Sequence, residues 1–352
     1  MQHRRRDILV PMMQPDLEPR FLEPDGFAWG RFQAGDGTSL RWGRLDAAAQ
    51  AAPAEPRAHC VLVSGFKEYI EKYFETVRDL AARGLTVWCL DWRGQGGSDR
   101  PRIAPSRPRA RDYDRDAGDL EAFAAAMLPP GAPRVLIAHS MGGASALLCL
   151  RHHPHLFDAA VLSAPMLGVA TGRVPEASAR RIALATVRCG FGALFVPGGR
   201  RWRVDPEIGP SRSRTSNDPA RCRVHQAWCA ARPELRIDDA TYAWLDAALG
   251  VTGRLADPDL LGGIRTPILI ASAGRDVLVR TDAQRRAAAL LPNCTLVDLP
   301  EAKHEPFHEV DAVRDRWLAA IDRFLGAHLR DATPSAPASA VDPDQEPALA
   351  GS

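Results

Sequence analysis

Three residues far apart in the chain have the types and settings that covalent acyl transfer needs: Ser140, Asp276 and His304. A serine hydroxyl is a weak nucleophile until a base takes its proton, and an imidazole acts as that base only when a third group holds its tautomer. Ser140 stands in Ala138-His139-Ser140-Met141-Gly142-Gly143, between the apolar run Val135 to Ala138 and a helical pattern of Ala and Leu. A strand that enters a helix through one serine flanked by small residues reads as a nucleophile elbow. The tight turn lifts the hydroxyl clear of the sheet, and the helix N-terminus faces the developing negative charge. The usual spacing is G-x-S-x-G, and here Ala138 takes the first small position, where one methyl can still fit a crowded turn. The competing reading makes Ser140 the N-cap of an ordinary strand-to-helix turn.

Asp276 and His304 each follow an apolar strand pattern. Pro267 to Ala271 leads into Ser272-Ala273-Gly274-Arg275-Asp276, and Thr295 to Leu299 leads into Pro300-Glu301-Ala302-Lys303-His304. Asp276 also has a structural reading as a turn-forming aspartate, while Asp282 reads as an N-cap or first-turn acid. His304-Glu305-Pro306-Phe307-His308 spells H-E-x-x-H, a zinc motif that works only when both imidazoles share one face of a continuous helix. Pro306 belongs in a first helical turn, which leaves His304 in the loop ahead of it. No metal is therefore expected, and His308 is expected to be a packed or surface helix residue. The glycines of Asp91-Trp92-Arg93-Gly94-Gln95-Gly96-Gly97-Ser98-Asp99 lack the spacing of phosphate-binding loops, and no cofactor is expected. Acyl transfer further requires donors for an oxyanion. By position these are the backbone N–H groups of Met141, directly after the nucleophile, and of Phe66, in the loop after the third strand.

The elements that must position these residues alternate along the chain. A hairpin of two strands, Phe27 to Phe32 and Ser39 to Leu45, turns at Ala34-Gly35-Asp36-Gly37. Short apolar runs follow at Cys60 to Val63, Leu85 to Leu90, Val135 to Ala138, Ala159 to Leu162 and Pro267 to Ala271, as buried parallel strands require, with a further strand at Thr295 to Leu299. Helical patterns separate most of them, among them Tyr69 to Arg83, Asp114 to Leu128, Asp282 to Leu291 and Val310 to Leu329. The expected fold is α/β: a mostly parallel eight-stranded sheet with helices on both faces. Ligands of such sheets bind beyond the carboxyl ends of the strands, where all three candidate residues fall.

Several segments resemble the lysophospholipase L2 and monoglyceride lipase (serine aminopeptidase S33-like) branch of the α/β-hydrolase superfamily. They are Ser64-Gly65-Phe66-Lys67-Glu68-Tyr69-Ile70-Glu71-Lys72-Tyr73, the Asp91 to Arg100 loop, Ala138 to Gly143 and Ala302-Lys303-His304-Glu305. Thr215 to Arg221 and Ala240 to Leu245 resemble lysophospholipase L2 in particular. The order Ser140, Asp276, His304 is also that of α/β-hydrolases. The resemblance runs from about Phe21 to Leu329 and implies an α/β-hydrolase fold, esterase chemistry on a single-chain lipid, and Ser140, Asp276 and His304 at the triad positions. Ser64 departs from the pattern by standing where monoglyceride lipases tend to carry histidine. The departure points to an oxyanion loop held by a different hydrogen bond.

These readings divide the chain into an arm (1–20), a hydrolase core in two parts (21–167 and 257–330), a helical lid insertion (168–256) and a disordered Pro/Ala/Ser/Asp tail (331–352). Phe195, Trp202, Trp228 and Trp244 of the insertion are candidates to line an acyl channel, although aromatic clusters also form plain core. The insertion carries Arg173, Arg180, Arg181, Arg188, Arg200, Arg201, Arg203, Arg212, Arg214, Arg221 and Arg223. They suit either contact with an anionic membrane or a phosphate-bearing substrate, or else a solvated surface. A net charge of +2 over 352 residues argues against a nucleic-acid partner. Seven cysteines with no C-x-x-C pair, together with no apolar run long enough to span a bilayer, fit a cytoplasmic protein, peripheral at most at the inner face of the membrane. The expected function is a serine hydrolase that cleaves the fatty-acyl ester of a lysophospholipid. The alternatives are a monoacylglycerol lipase or general carboxylesterase and, more distantly, a silent lipid-binding hydrolase fold.

Overall fold

A computed structural model of the chain describes residues 14–47 and 56–329. The first part of the expected arm, most of the Ala47 to Pro56 loop and the tail from 331 lie outside the described residues. Strands β1 (Ala28–Gln33) and β2 (Ser39–Leu45) form the expected hairpin. Its turn closes through Gly37 N–H donating to Ala34 O at 2.8 Å, with Gly37 at φ +81°, where a side chain would be strained. Then follow β3 (Ala58–Val63), α1 (Phe74–Ala82), β4 (Leu85–Leu90), α2 (Tyr113–Met127), β5 (Arg134–His139), α3 (Met141–His152) and β6 (Ala159–Ser163). A long insertion carries α4 (Glu176–Arg188), α5 (Arg221–Ala231) and α6 (Tyr242–Arg254). A short α7 (Pro258–Gly262) precedes β7 (Ile268–Ala273), α8 (Thr281–Leu290), β8 (Cys294–Leu299) and α9 (Asp311–His328).

The eight strands make one sheet in the order β1-β2-β4-β3-β5-β6-β7-β8. Only β1 with β2 and β2 with β4 pair antiparallel. The continuous apolar runs are explained by alternation within each strand. Val61, Leu136, Leu162 and Ile270 face one core with α2, α3 and α8, whereas Cys60, Ile137, Val161 and Leu269 face the other with α1 and α9. With both faces covered, neither set of side chains can be polar.

Two local readings are corrected. The stretch read as one helix from Tyr69 begins with a tighter 3-10 turn, Ile70–Tyr73, before α1. Arg221, grouped with the surface arginines, is buried in the core-facing side of α5. Its guanidinium donates to Glu75 at 2.7 and 2.8 Å, to Asp218 at 3.0 Å and to Asp311 at 2.7 Å. The other ten arginines of that group are exposed. All seven cysteines are free. No helix among the described residues is long and apolar enough to cross a membrane.

Candidate active site

Ser140, Asp276 and His304 meet beyond the carboxyl ends of β5, β7 and β8. Ser140 ends β5 in a strained backbone conformation, φ +50° and ψ −118°, immediately before α3. Its side chain makes no capping bond to that helix. Instead Oγ lies 2.8 Å from His304 Nε2, and His304 Nδ1 lies 2.6 Å from Asp276 Oδ2. Small residues make the turn fit: a Cβ on Gly142 would come within 2.6 Å of the Ser64 carbonyl oxygen. Ala138 is fully buried within β5, so its extra methyl is absorbed by the core.

Asp276 stands in the turn after β7 and also reaches His304. Oδ1 closes the turn after β7 by accepting the N–H groups of Leu278 and Val279 at 2.7 and 3.0 Å, which leaves Oδ2 for His304. Burial works against the ionised carboxyl, but the His304 ring and the two amides outweigh it and hold Asp276 below its ordinary pKa. Burial likewise disfavours the His304 imidazolium, and the Asp276 carboxylate overcomes this, raising His304 above 6.5. His304 precedes a 3-10 turn, Pro306–His308, so it does not share a helix face with His308. His308 is buried, donates from Nε2 to Lys72 O at 3.0 Å, and is held by burial at a pKa of about 3.

The loop after β3 lies against the elbow, and a Cβ on Gly65 would stand 3.0 Å from Ser140 Cβ. Two residues not singled out from sequence hold this loop. Glu68 Oε2 accepts the Gly65 N–H at 2.6 Å and the Tyr73 hydroxyl at 2.7 Å. Gln95 donates to Gly65 O at 2.9 Å and accepts the Lys67 N–H at 3.1 Å, bracketing Phe66 on both sides. These contacts answer the absence of histidine at Ser64. In sequence Gln95 is marked only by its place in the glycine-rich Asp91 to Asp99 loop.

Beneath the loop, the buried Lys72 ammonium sits 2.5 Å from Glu68 and 2.6 Å from Glu305, the residue next to His304. Burial opposes its charge, but the two carboxylates raise its pKa. His139 lies nearby, pushed down to about 4 by burial and therefore neutral, with its Nδ1 donating to Ser163 O at 2.9 Å. Among the described residues, one group offers metal-ligand atoms close together: Glu68, His139 and Glu305, all within 4.8 Å of one another. The Lys72 ammonium already supplies the positive charge between its two carboxylates.

The four aromatic candidates of the insertion do not share one environment. Trp244 stacks on Phe66 of the loop after β3, with ring centroids 4.2 Å apart. Trp228 packs on Phe74 and donates to Phe21 O at 3.2 Å, within the core. Phe195 lies under the Arg107 guanidinium and Trp202 under that of Arg236.

Residues 54–311 match the family model described as serine aminopeptidase, S33. The chain is 31% identical to lysophospholipase L2 of Escherichia coli (strain K12) over 281 residues, covering 76% of this chain and 80% of that protein. It is 32% identical over 123 residues to a monoacylglycerol lipase of Mycolicibacterium smegmatis, covering 34% of this chain and 42% of that one. The fold is similar to a monoglyceride lipase structure from Saccharomyces cerevisiae, with a TM-score of 0.67 at 18% identity over 91% of this chain and 98% of the other. With a family match across most of its length and a relative above 30% identity over four-fifths of that relative, the chain belongs to the serine aminopeptidase S33 family, on the lysophospholipase L2 and monoglyceride lipase branch of the α/β-hydrolases.

Proposed function

We propose that this carboxylic ester hydrolase cleaves the fatty-acyl ester of a lysophospholipid through Ser140, His304 and Asp276. The observation that carries the proposal is the unbroken hydrogen-bond line from Ser140 Oγ through His304 to Asp276. Ser140 Oγ attacks the ester carbonyl while His304 Nε2 takes its proton, and Asp276 keeps the Nδ1 proton in place and stabilises the imidazolium. The N–H groups of Phe66 and Met141 receive the oxyanion, with the N-terminus of α3 adding its partial positive charge. Collapse expels the glycerol hydroxyl, which takes the proton from His304 and leaves an acyl ester on Ser140. Water then attacks that ester with His304 again as base, and the fatty acid departs.

Residues 168–256 serve as a lid over the strand ends. Their outer surface exposes Ile182, Phe191 and Leu194 among Arg180, Arg181 and Arg188. Apolar side chains ringed by arginines suit a peripheral contact with an anionic membrane, and the protein acts in the cytoplasm at the inner face of that membrane. The relationship to a monoacylglycerol lipase supports a second reading, in which the substrate is neutral and the chemistry identical.

The test has two steps. A fluorophosphonate probe labels the wild type and fails to label Ser140→Ala; equal labelling of the two removes the triad. Fatty-acid release from lysophosphatidylethanolamine then exceeds release from a monoacylglycerol of the same chain length. The reverse order selects the second reading.

A further inference from the structure

A cleft of about 360 Å³ opens beside Phe66, walled by the 100–111 loop and by Trp244 of α6. Its lining includes Arg100, Arg107 and Arg109, and among the described residues none of the three pairs with a carboxylate. Each donates to main-chain carbonyls instead. Arg100 donates to Arg236 O and Gly96 O at 2.8 Å each, Arg107 to Ala193 O at 2.6 Å, and Arg109 to Ile103 O at 3.0 Å. Carbonyl oxygens fix the direction of a guanidinium and leave its unit charge uncompensated. Arg107 is also stacked over Phe195, 4.2 Å from the ring centroid.

The acids around the cleft have partners, although Asp116 keeps one buried oxygen, Oδ1, without one. Asp116 pairs with Arg111 at 2.5 Å, Asp112 caps α2 through the Arg115 N–H, and Asp99 accepts the Ser39 N–H at 2.8 Å. Three donors on the lining residues, Arg100 Nε, Arg111 Nη2 and Trp244 Nε1, are buried without a partner. Burial works against the charged form of Arg100, and the charges of Asp91 and Glu234 offset it only in part. Oriented arginines without a paired carboxylate, Arg100 and Arg107 half-buried and Arg109 exposed, make a place for an anion, and the planar guanidinium fork matches phosphate oxygens.

The position of the cleft identifies the anion. Phe66 borders it, and Gly65, one residue earlier, abuts Ser140. In a lysophospholipid the phosphate is joined to the scissile ester through the glycerol carbons alone, so an ester held at Ser140 delivers its phosphate nearby. We propose that this cleft binds the headgroup phosphate, with Arg100, Arg107 and Arg109 as its ligands. The proposal rests on the lysophospholipid reading above and names the residues that would separate charged from neutral substrates.

The experiment compares wild type, the double variant Arg107→Gln/Arg109→Gln, and Arg102→Gln, an exposed arginine outside the lining. Short-chain lysophosphatidylethanolamine and the matching monoacylglycerol are used below their aggregation concentrations, so that no lipid surface contributes. The ratio of kcat/KM for the phospholipid to that for the neutral lipid falls at least tenfold in the double variant, through KM, and stays put in Arg102→Gln. An unchanged ratio in the double variant overturns the cleft while leaving the substrate reading intact. Inhibition of p-nitrophenyl butyrate hydrolysis tests the cleft even if no lysophospholipid is cleaved. Glycerol 3-phosphate inhibits the wild type, and its Ki rises at least tenfold in the double variant. Equal inhibition by inorganic phosphate and glycerol 3-phosphate would mark a free-phosphate site and overturn the headgroup assignment, as would no inhibition by either.

Discussion

Replacing Asp276 with asparagine keeps the side-chain volume and one carbonyl oxygen, so its effect can be worked out atom by atom. Oδ1 accepts two main-chain N–H groups, those of Leu278 and Val279, at 2.7 and 3.0 Å. An amide nitrogen cannot accept them, so the asparagine oxygen takes that place and the NH2 turns toward His304 Nδ1. That NH2 can only donate. Nδ1 must then accept, and the ring proton moves to Nε2, 2.8 Å from Ser140 Oγ, where it prevents His304 from taking the serine proton. In the serine protease template the same exchange lowers kcat about 10⁴-fold, equivalent to about 5 kcal/mol at ~1.36 kcal/mol per decade. The expected loss here is about 10³- to 10⁴-fold in kcat, with KM changed less than about threefold. The pH profile offers a second readout. In the wild type the Asp276 carboxylate places the acid limb of kcat/KM above 6.5, because the neutral, active form of His304 appears only past its raised pKa. Without that charge the limb moves to lower pH, because only Glu305 and Glu68 are left to oppose burial. p-Nitrophenyl butyrate hydrolysis from about pH 5 to about pH 9 measures both effects, and thermal unfolding verifies the fold. A variant that keeps more than about a tenth of kcat, with an unmoved acid limb, refutes the tautomer argument.

Three further outcomes are expected. Gly142→Ala brings a Cβ within 2.6 Å of the main-chain oxygen of Ser64, so elbow and oxyanion loop must separate; kcat falls about 100-fold, and a normal kcat would show that the two are not in register. Lys72→Met leaves Glu68 and Glu305 buried and facing each other, which destabilises the protein by about 3–5 kcal/mol at neutral pH; a change below about 1 kcal/mol by urea unfolding contradicts this. The Asp276–His304 pair also links stability to pH. The raised His304 pKa contributes stability fully below the unfolded value of 6.5 and loses it as pH climbs through the raised value. The lowered Asp276 pKa contributes above 3.8 and loses it as pH falls through the lowered value. The stability advantage of wild type over Asp276→Asn is therefore largest between 3.8 and 6.5 and shrinks toward alkaline pH. Urea unfolding on both sides of the His304 titration checks the sign, and an advantage that grows with pH would reverse it.

In the proposed reading, substrate discrimination and catalysis are built from different parts of the chain. The hydrogen-bonded line through Ser140 uses residues beyond the ends of the buried strands β5 and β7 and of the half-exposed edge strand β8. The arginines beside Phe66 come from a loop between β4 and α2 and from contacts with the insertion, which can change without disturbing that line.

The elbow, the strand ends and the order of the three site residues were legible from residue types and spacing. Local patterns suffice for them: a strand buried on both faces must be a continuous apolar run, and a tight turn into a helix must be flanked by small side chains. What had to wait for the tertiary structure were the pairings across long stretches of sequence. Nothing near Arg221 says that Glu75 lies against it, so it reads as one more surface arginine although it is buried. Nothing near Trp228 distinguishes a channel wall from a core residue packed on Phe74. Of the two bonds that fix the loop after β3, the one from Glu68 is local, whereas the one from Gln95 exists only because the Asp91 to Asp99 loop folds back on it. Burial, counter-charge and hydrogen-bond partners are properties of neighbours in space, and most of these neighbours are supplied by segments tens to hundreds of residues away.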